Sequence, residues 1–146
     1  MAQQKRLWTL LALLLLCALV PLTAFAAGET SGQCGDNAFW NYDAETKTFT
    51  ISGSGKMYHY AYTTPWDSCK SEMENAIVED CITSISESAF VNCSVLKTLV
   101  IGKSVSSIDR YAFRSDMEAY LKNYTVAPLE SITVSEENEY FSSRDN

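Results

Sequence analysis

A chain of 146 residues with 18 acidic and 11 basic side chains carries a formal charge of −7. That balance argues against nucleic acid, and against an anionic lipid surface held by charge alone. A single histidine and cysteines without any CxxC pair argue against a structural zinc site, and the length suits one small domain or a piece of something longer.

In chain order, residues 1–26 come first. Lys5 and Arg6 precede the apolar run "LWTLLALLLLCALV", and Ala24-Phe25-Ala26 closes it. A basic start, an apolar centre and a small-residue end are the pattern of a secretory signal peptide. The run is short of the roughly 20 apolar residues that a membrane span needs. Cleavage there removes two bases and no acids, leaving 9 basic against 18 acidic side chains, or −9. A secreted or cell-surface location follows as the expectation, with no membrane insertion after signal removal.

Residues 27–72 read as an N-terminal capping region. "AFWNY" and "TFTIS" alternate apolar and polar side chains around Asp43–Lys47, a hairpin pattern. Trp40, Phe49, Ile51 and Trp66 are its expected core. "GSGK" at Gly53–Lys56 lacks the Walker spacing, because Thr50 and Met57 stand where glycine and a hydroxyl are needed. A turn after the hairpin is the expectation there. His59 lies among Tyr58, Tyr60 and Tyr62, with no nucleophile or carboxylate spaced to make it a general base, so surface packing is expected.

From residue 73 the chain repeats itself. "ITSISESAF" at Ile82 returns as "VSSIDRYAF" at Val105, 23 residues later. Under the same shift Met73, Ala76, Ile77 and Val78 fall on Leu96, Leu99, Val100 and Ile101. A fixed period of 20–29 residues marks a solenoid, in which each unit buries its apolar face on the next. Each unit reads as a short strand, a polar corner such as Gly102-Lys103-Ser104, a short extended segment and an aromatic side chain. The units are 73–95, 96–128 and an incomplete 129–146. Their expected core is Met73, Ile77, Ile82, Ile85, Phe90, Leu96, Leu99, Ile101, Val105, Ile108, Phe113, Leu129, Ile132 and Val134.

The third unit follows at 33 rather than 23, so ten extra residues lie between Phe113 and Leu129. Such an insertion must leave the coil as a loop. Asp116 could cap a short helix in it. Arg114, Met117, Tyr120, Lys122 and Tyr124 mix aromatic anchors with charge, which suits an interaction loop. Met117, Tyr120 and Leu121 at helical spacing also fit a segment folded back on the coil. "SEENEY" at Ser135–Tyr140 lacks calcium-loop spacing and reads as a solvated turn.

"LKTLVIGKSVSSIDRYAF", with "AFVNC" one unit earlier, resembles the BspA-type leucine-rich repeat. The preceding "SGQCGDNAFWNYDAETKTFTISGSGKM" and "PW" resemble the cap found ahead of such repeats in secreted bacterial proteins. Asp116 replaces the repeat's cysteine in the second unit. The resemblance implies a mainly β fold: a hairpin cap followed by a short leucine-rich repeat solenoid of about 23-residue coils. It also implies a buried, reduced Cys93. Four cysteines in an exported chain permit disulfides, and Cys34 paired with Cys69 or Cys81 would tie cap to coil. The text stops just after the third strand, where the family continues, so a fragment is expected.

The functional expectation is a secreted or surface binding module with a protein or glycan ligand, no cofactor, no metal and no catalysis; the resemblance implies that it serves adhesion or host interaction. The alternative is an appendage that targets a larger surface enzyme whose catalytic domain is absent.

Overall fold

A computed structural model describes residues 29–61, 63–113 and 129–141. Residues 1–28, where a signal peptide is expected, Tyr62, the inserted residues 114–128 and residues 142–146 lie outside the described residues.

The cap is a three-stranded antiparallel sheet: β1 (Ser31–Gln33), β2 (Asn37–Asp43) and β3 (Thr48–Lys56). Strict alternation along β2 turns Ala38, Trp40 and Tyr42 inward and leaves Asn37, Phe39, Asn41 and Asp43 outside. The hairpin closes because the Asp43 carboxylate accepts the backbone N–H groups of Glu45 (2.9 Å) and Thr46 (3.4 Å).

β3 then changes partners. Its first half pairs in parallel with β4 (Asn75–Val78), and its far end pairs in parallel with β5 (Ile82–Ile85). One nine-residue strand therefore serves both sides of the first coil. The bend between the two sides falls at "GSGK", which is strand rather than the expected free turn: Gly53 and Gly55 have φ of +92° and +86°. A side chain at Gly53 would also place its Cβ 2.1 Å from the Asn37 carbonyl oxygen.

The rest is stacking. β6 (Thr98–Ile101) lies on β4, β8 (Ser131–Val134) on β6, and β7 (Ser107–Ile108) on β5, all parallel. Ala76 stands opposite Leu99 and Ile85 opposite Ile108, so the 23-residue period is the hydrogen-bonding register. Leu99 stands opposite Ile132, which restores the register across the ten-residue insertion. Corners follow the same rule: Gly102 N–H donates to Val78 (2.8 Å) and Ser135 N–H to Ile101 (2.9 Å).

Aromatic rings form a column through the coils. Trp40 and Phe49 lie 6.0 Å apart, Phe49 and Trp66 5.2 Å, Phe49 and Phe90 6.2 Å, and Phe90 and Phe113 5.3 Å. Trp66 fastens the cap to the first coil by donating its indole N–H to the Ala89 carbonyl at 2.8 Å. Trp40, Phe49, Ile51 and Trp66 are all buried, as are Met73, Ile82, Ile85, Phe90, Leu96, Leu99, Ile101, Val105 and Val134. Ile108, Phe113 and Leu129 are partly buried against that core.

Two core assignments need correction. Ile77 is only half-buried and faces outward; Ala76 and Val78 face inward. Ala76 sits in register between Phe49 and Leu99, where a small side chain leaves room for two large ones. Ile132 is 48% exposed, because β8 is the last described strand and no described coil covers it.

Charged side chains tie successive coils at one rim. The Glu74 carboxylate accepts from Lys47 of the cap through one oxygen, and from Lys97 of the next coil through the other at 2.7 Å. These hydrogen bonds, that of Lys47 foremost and then that of Lys97, hold the Glu74 carboxyl down to about 2, against 4.5 unperturbed. A lowered folded pKa gives stability that is present above 4.5 and lost as the pH falls toward 2. The stability gap between the parent and Glu74→Gln should therefore shrink across that window in urea titrations. A gap that stays constant would show that the rim contributes nothing.

Candidate functional site

The outward face of the parallel sheet is built by strand alternation. Register aligns Asn41, Thr50, Ile77, Val100 and Thr133 across five strands, and Asp43, Thr48, Asn75, Thr98 and Ser131 in the row beside them. The Thr98 hydroxyl donates to the Asn75 side-chain oxygen at 2.7 Å, which holds that row flat. Val100 is 39% exposed and Phe39, further along the same face, 48%. Apart from Asp43 at one margin, these rows carry no charge. The Lys47–Glu74–Lys97 rim lies alongside, and at the far corner Lys103 pairs with Glu137 at 3.1 Å. An uncharged, hydroxyl-rich strip with exposed apolar side chains between ion pairs matches the core-and-rim composition of a protein interface.

Where this face meets the corners, an open groove of about 400 Å³ lies between Gly53, Asp80, Cys81, Val100, Gly102 and Ser135. The turn after β8 is tied to the corner between β6 and β7 by Asn138, whose side-chain NH₂ donates to the carbonyls of Gly102 (2.8 Å) and Val105 (3.1 Å). The "SEENEY" segment is thus a turn bound to the preceding coil.

A second groove of about 410 Å³ opens on the β5–β7 side, lined by Lys56, His59, Ser84, Glu87, Ser107 and Asp109 among others. His59 is mostly exposed, and its Nε2 lies 3.2 Å from the Glu87 carboxylate. The ligand atoms of His59, Glu87 and Asp109 all fall within 4.8 Å of one another. Spacing along the chain did not suggest this meeting. The signal that would have found it is the cap-to-coil offset of 28, which pairs Lys56 with Ser84 and carries His59 onto Glu87. Of the neighbouring tyrosines, Tyr60 packs edge-on against Trp66 at 5.2 Å, and its hydroxyl is pushed up to about 12 by burial. Tyr58 is exposed and donates to Asp36 at 3.2 Å. Sequence reasoning also passed over Lys70, whose buried ammonium donates to the Ser88 carbonyl (2.9 Å) and pairs with Asp67 (2.9 Å).

The cysteines overturn the expected disulfide. Cys34, Cys69, Cys81 and Cys93 are all free thiols. Cys81 faces solvent at a corner while Cys34 is buried in the cap, and the Cys69 thiol donates to the Trp66 carbonyl at 3.2 Å. Burial raises the thiols of Cys34 and Cys93 to about 12 and that of Cys69 to about 11, so none is a ready nucleophile. A thiol reagent should therefore label Cys81 at once and the other three only after denaturation. Rapid labelling of more than one of the four in the folded chain would refute that burial.

Arg114, Met117, Tyr120, Lys122 and Tyr124, the expected interaction loop, lie outside the described residues.

A hairpin cap with parallel strands stacked at a 23-residue register defines a leucine-rich repeat solenoid, a class of non-catalytic protein-interaction modules. The family model for the BspA type leucine-rich repeat region matches residues 20–120 and 65–144. The chain belongs to that family, whose members are typically surface-associated. Its fold is similar to the crystal structure of a leucine-rich repeat protein from Eubacterium ventriosum, with 25% identity and a TM-score of 0.60 over 73% of this chain. The match spans about a quarter (26%) of that protein's length. No curated protein matches the chain. Among the described residues, no helix is long and apolar enough to cross a membrane.

Proposed function

We propose that the chain is a secreted or cell-surface binding module that docks a protein partner, in adhesion or host contact, without chemistry of its own. The uncharged outward face of the sheet carries this reading, with Val100 exposed on a four-rung parallel ladder and Phe39 exposed on the antiparallel strand beside it. Apolar side chains held on such a scaffold lose little entropy on binding, whereas a flexible segment would have to be ordered first. The insertion from Arg114 to Pro128 supplies a second surface, since loops on rigid scaffolds carry binding residues.

Adhesion to extracellular matrix or cultured cells should be compared for the parent, Val100→Arg, and a deletion of Ser115 to Tyr124. The deletion restores the 23-residue spacing, and Val100 points to solvent, so both variants are expected to fold. Adhesion lost in Val100→Arg assigns binding to the sheet; adhesion lost in the deletion assigns it to the loop. Equal adhesion by all three, each confirmed folded, would reject both surfaces.

A further inference from the structure

We propose that His59, Glu87 and Asp109 form a binding site for a divalent first-row transition-metal ion, of which zinc is the natural probe. The three residues come from three successive layers: the segment after β3, the turn after β5 and the turn after β7. Stacking alone brings them to one wall.

Geometry allows an ion here, beyond the His59–Glu87 contact alone. Two ligands on a tetrahedral zinc are held to about 3.4 Å apart by bonds of roughly 2.1 Å. His59 Nε2 and the Glu87 oxygen, at 3.2 Å, are already inside that limit. The full set lies within 4.8 Å, so its widest pair has to close by up to about 1.4 Å, a side-chain adjustment open to groups that are exposed or half-buried. The supports are fixed as well. Met57 N–H donates to the Ser84 hydroxyl at 3.3 Å, pinning the segment that carries His59. Asp109 receives the Tyr111 N–H on its carboxylate at 3.0 Å and donates its own N–H to the Ile85 carbonyl at 2.9 Å. Such outer contacts orient metal ligands.

Charge and ligand type narrow the ion. The ionisable side chains lining this groove are Lys56, His59, Glu87 and Asp109, so with His59 neutral the wall carries one positive and two negative charges. One imidazole and two carboxylates suit zinc, nickel, copper or cobalt, while calcium prefers six to eight oxygens. Three protein ligands in an open groove leave further coordination positions for water or for an acidic group on a partner.

His59 is the only histidine in the chain, which makes the test direct. The purified chain is made without a polyhistidine tag and with Cys81→Ser, because the exposed thiol would compete for zinc. Zinc is titrated by calorimetry while the single imidazole is followed by NMR. We expect saturable one-to-one binding that shifts the imidazole resonances and is weakened at least about tenfold by His59→Ala. Glu87→Gln and Asp109→Asn, each with an unchanged metal-free circular dichroism spectrum, should weaken it similarly. Binding that leaves the imidazole resonances unmoved, equal affinity in His59→Ala, or no saturation below millimolar zinc would each overturn the site. The imidazole readout needs no variant, so a variant that fails to fold does not decide the outcome.

Discussion

Replacing Phe90 with alanine is expected to lower the free energy of unfolding by about 3–5 kcal/mol. The ring is 1% exposed and is the middle member of the aromatic column, edge-on to Phe49 and stacked on Phe113 at an interplanar angle of 19°. Its backbone N–H also donates to the Ala112 carbonyl at 2.7 Å, which ties the same residue to the next coil. Truncation leaves a cavity between two coils whose backbones are held in register by ladder hydrogen bonds, so the gap cannot close by collapse. Phe113 is only partly buried, and Phe113→Ala should cost less. Urea unfolding of the three proteins checks this. Against a total stability of about 5–15 kcal/mol, the Phe90 variant should lie close to unfolding. A change in Phe90→Ala below about 1 kcal/mol would mean that the column is not continuous.

The second large effect is expected at the bend of β3. Gly53→Ala forces an L side chain into the left-handed region, costing roughly 1–2 kcal/mol. It also drives the new Cβ to 2.1 Å from the Asn37 carbonyl oxygen, which belongs to the paired strand and cannot rotate away. Overpacking of that kind adds about 1–3 kcal/mol. Gly55→Ala is the internal control. Its φ is also positive, at +86°, but no atom lies within 4 Å of the added Cβ, so only the backbone term applies. Denaturant midpoints should rank the parent above Gly55→Ala, and Gly55→Ala clearly above Gly53→Ala. Equal midpoints for the two variants would show that the strand does not bend against β2 at this point.

The solenoid was legible because its period is carried by residue identity and spacing together. "AF" returns after 23 residues, and the strands pair at that same shift. What periodicity could not tell was which of three consecutive apolar residues points inward. In Ala76-Ile77-Val78 the largest side chain was assigned to the core, yet alternation and the crowding of Phe49 and Leu99 give that place to the smallest. The groove of His59, Glu87 and Asp109 was illegible for a different reason. The cap stacks on the first coil at 27 and then 28 residues across a bulge, so the shift that aligns the repeats does not align His59 with its partner. The expected disulfide rested on export and an even cysteine count, and neither says where a thiol points. Burial decided that, turning Cys34 inward while Cys81 stayed outside.

β3 is antiparallel to the strand before it and parallel to both strands after it. Cap and first coil therefore hold one segment in common, with no seam between them. Severing the chain near residue 72 would leave an amino-terminal piece with two unsatisfied strand edges and a carboxy-terminal piece without its first rung. The two halves should be protected from hydrogen exchange together and released together. A hairpin that resembles a detachable lid is, in mechanical terms, the first tooth of the zip.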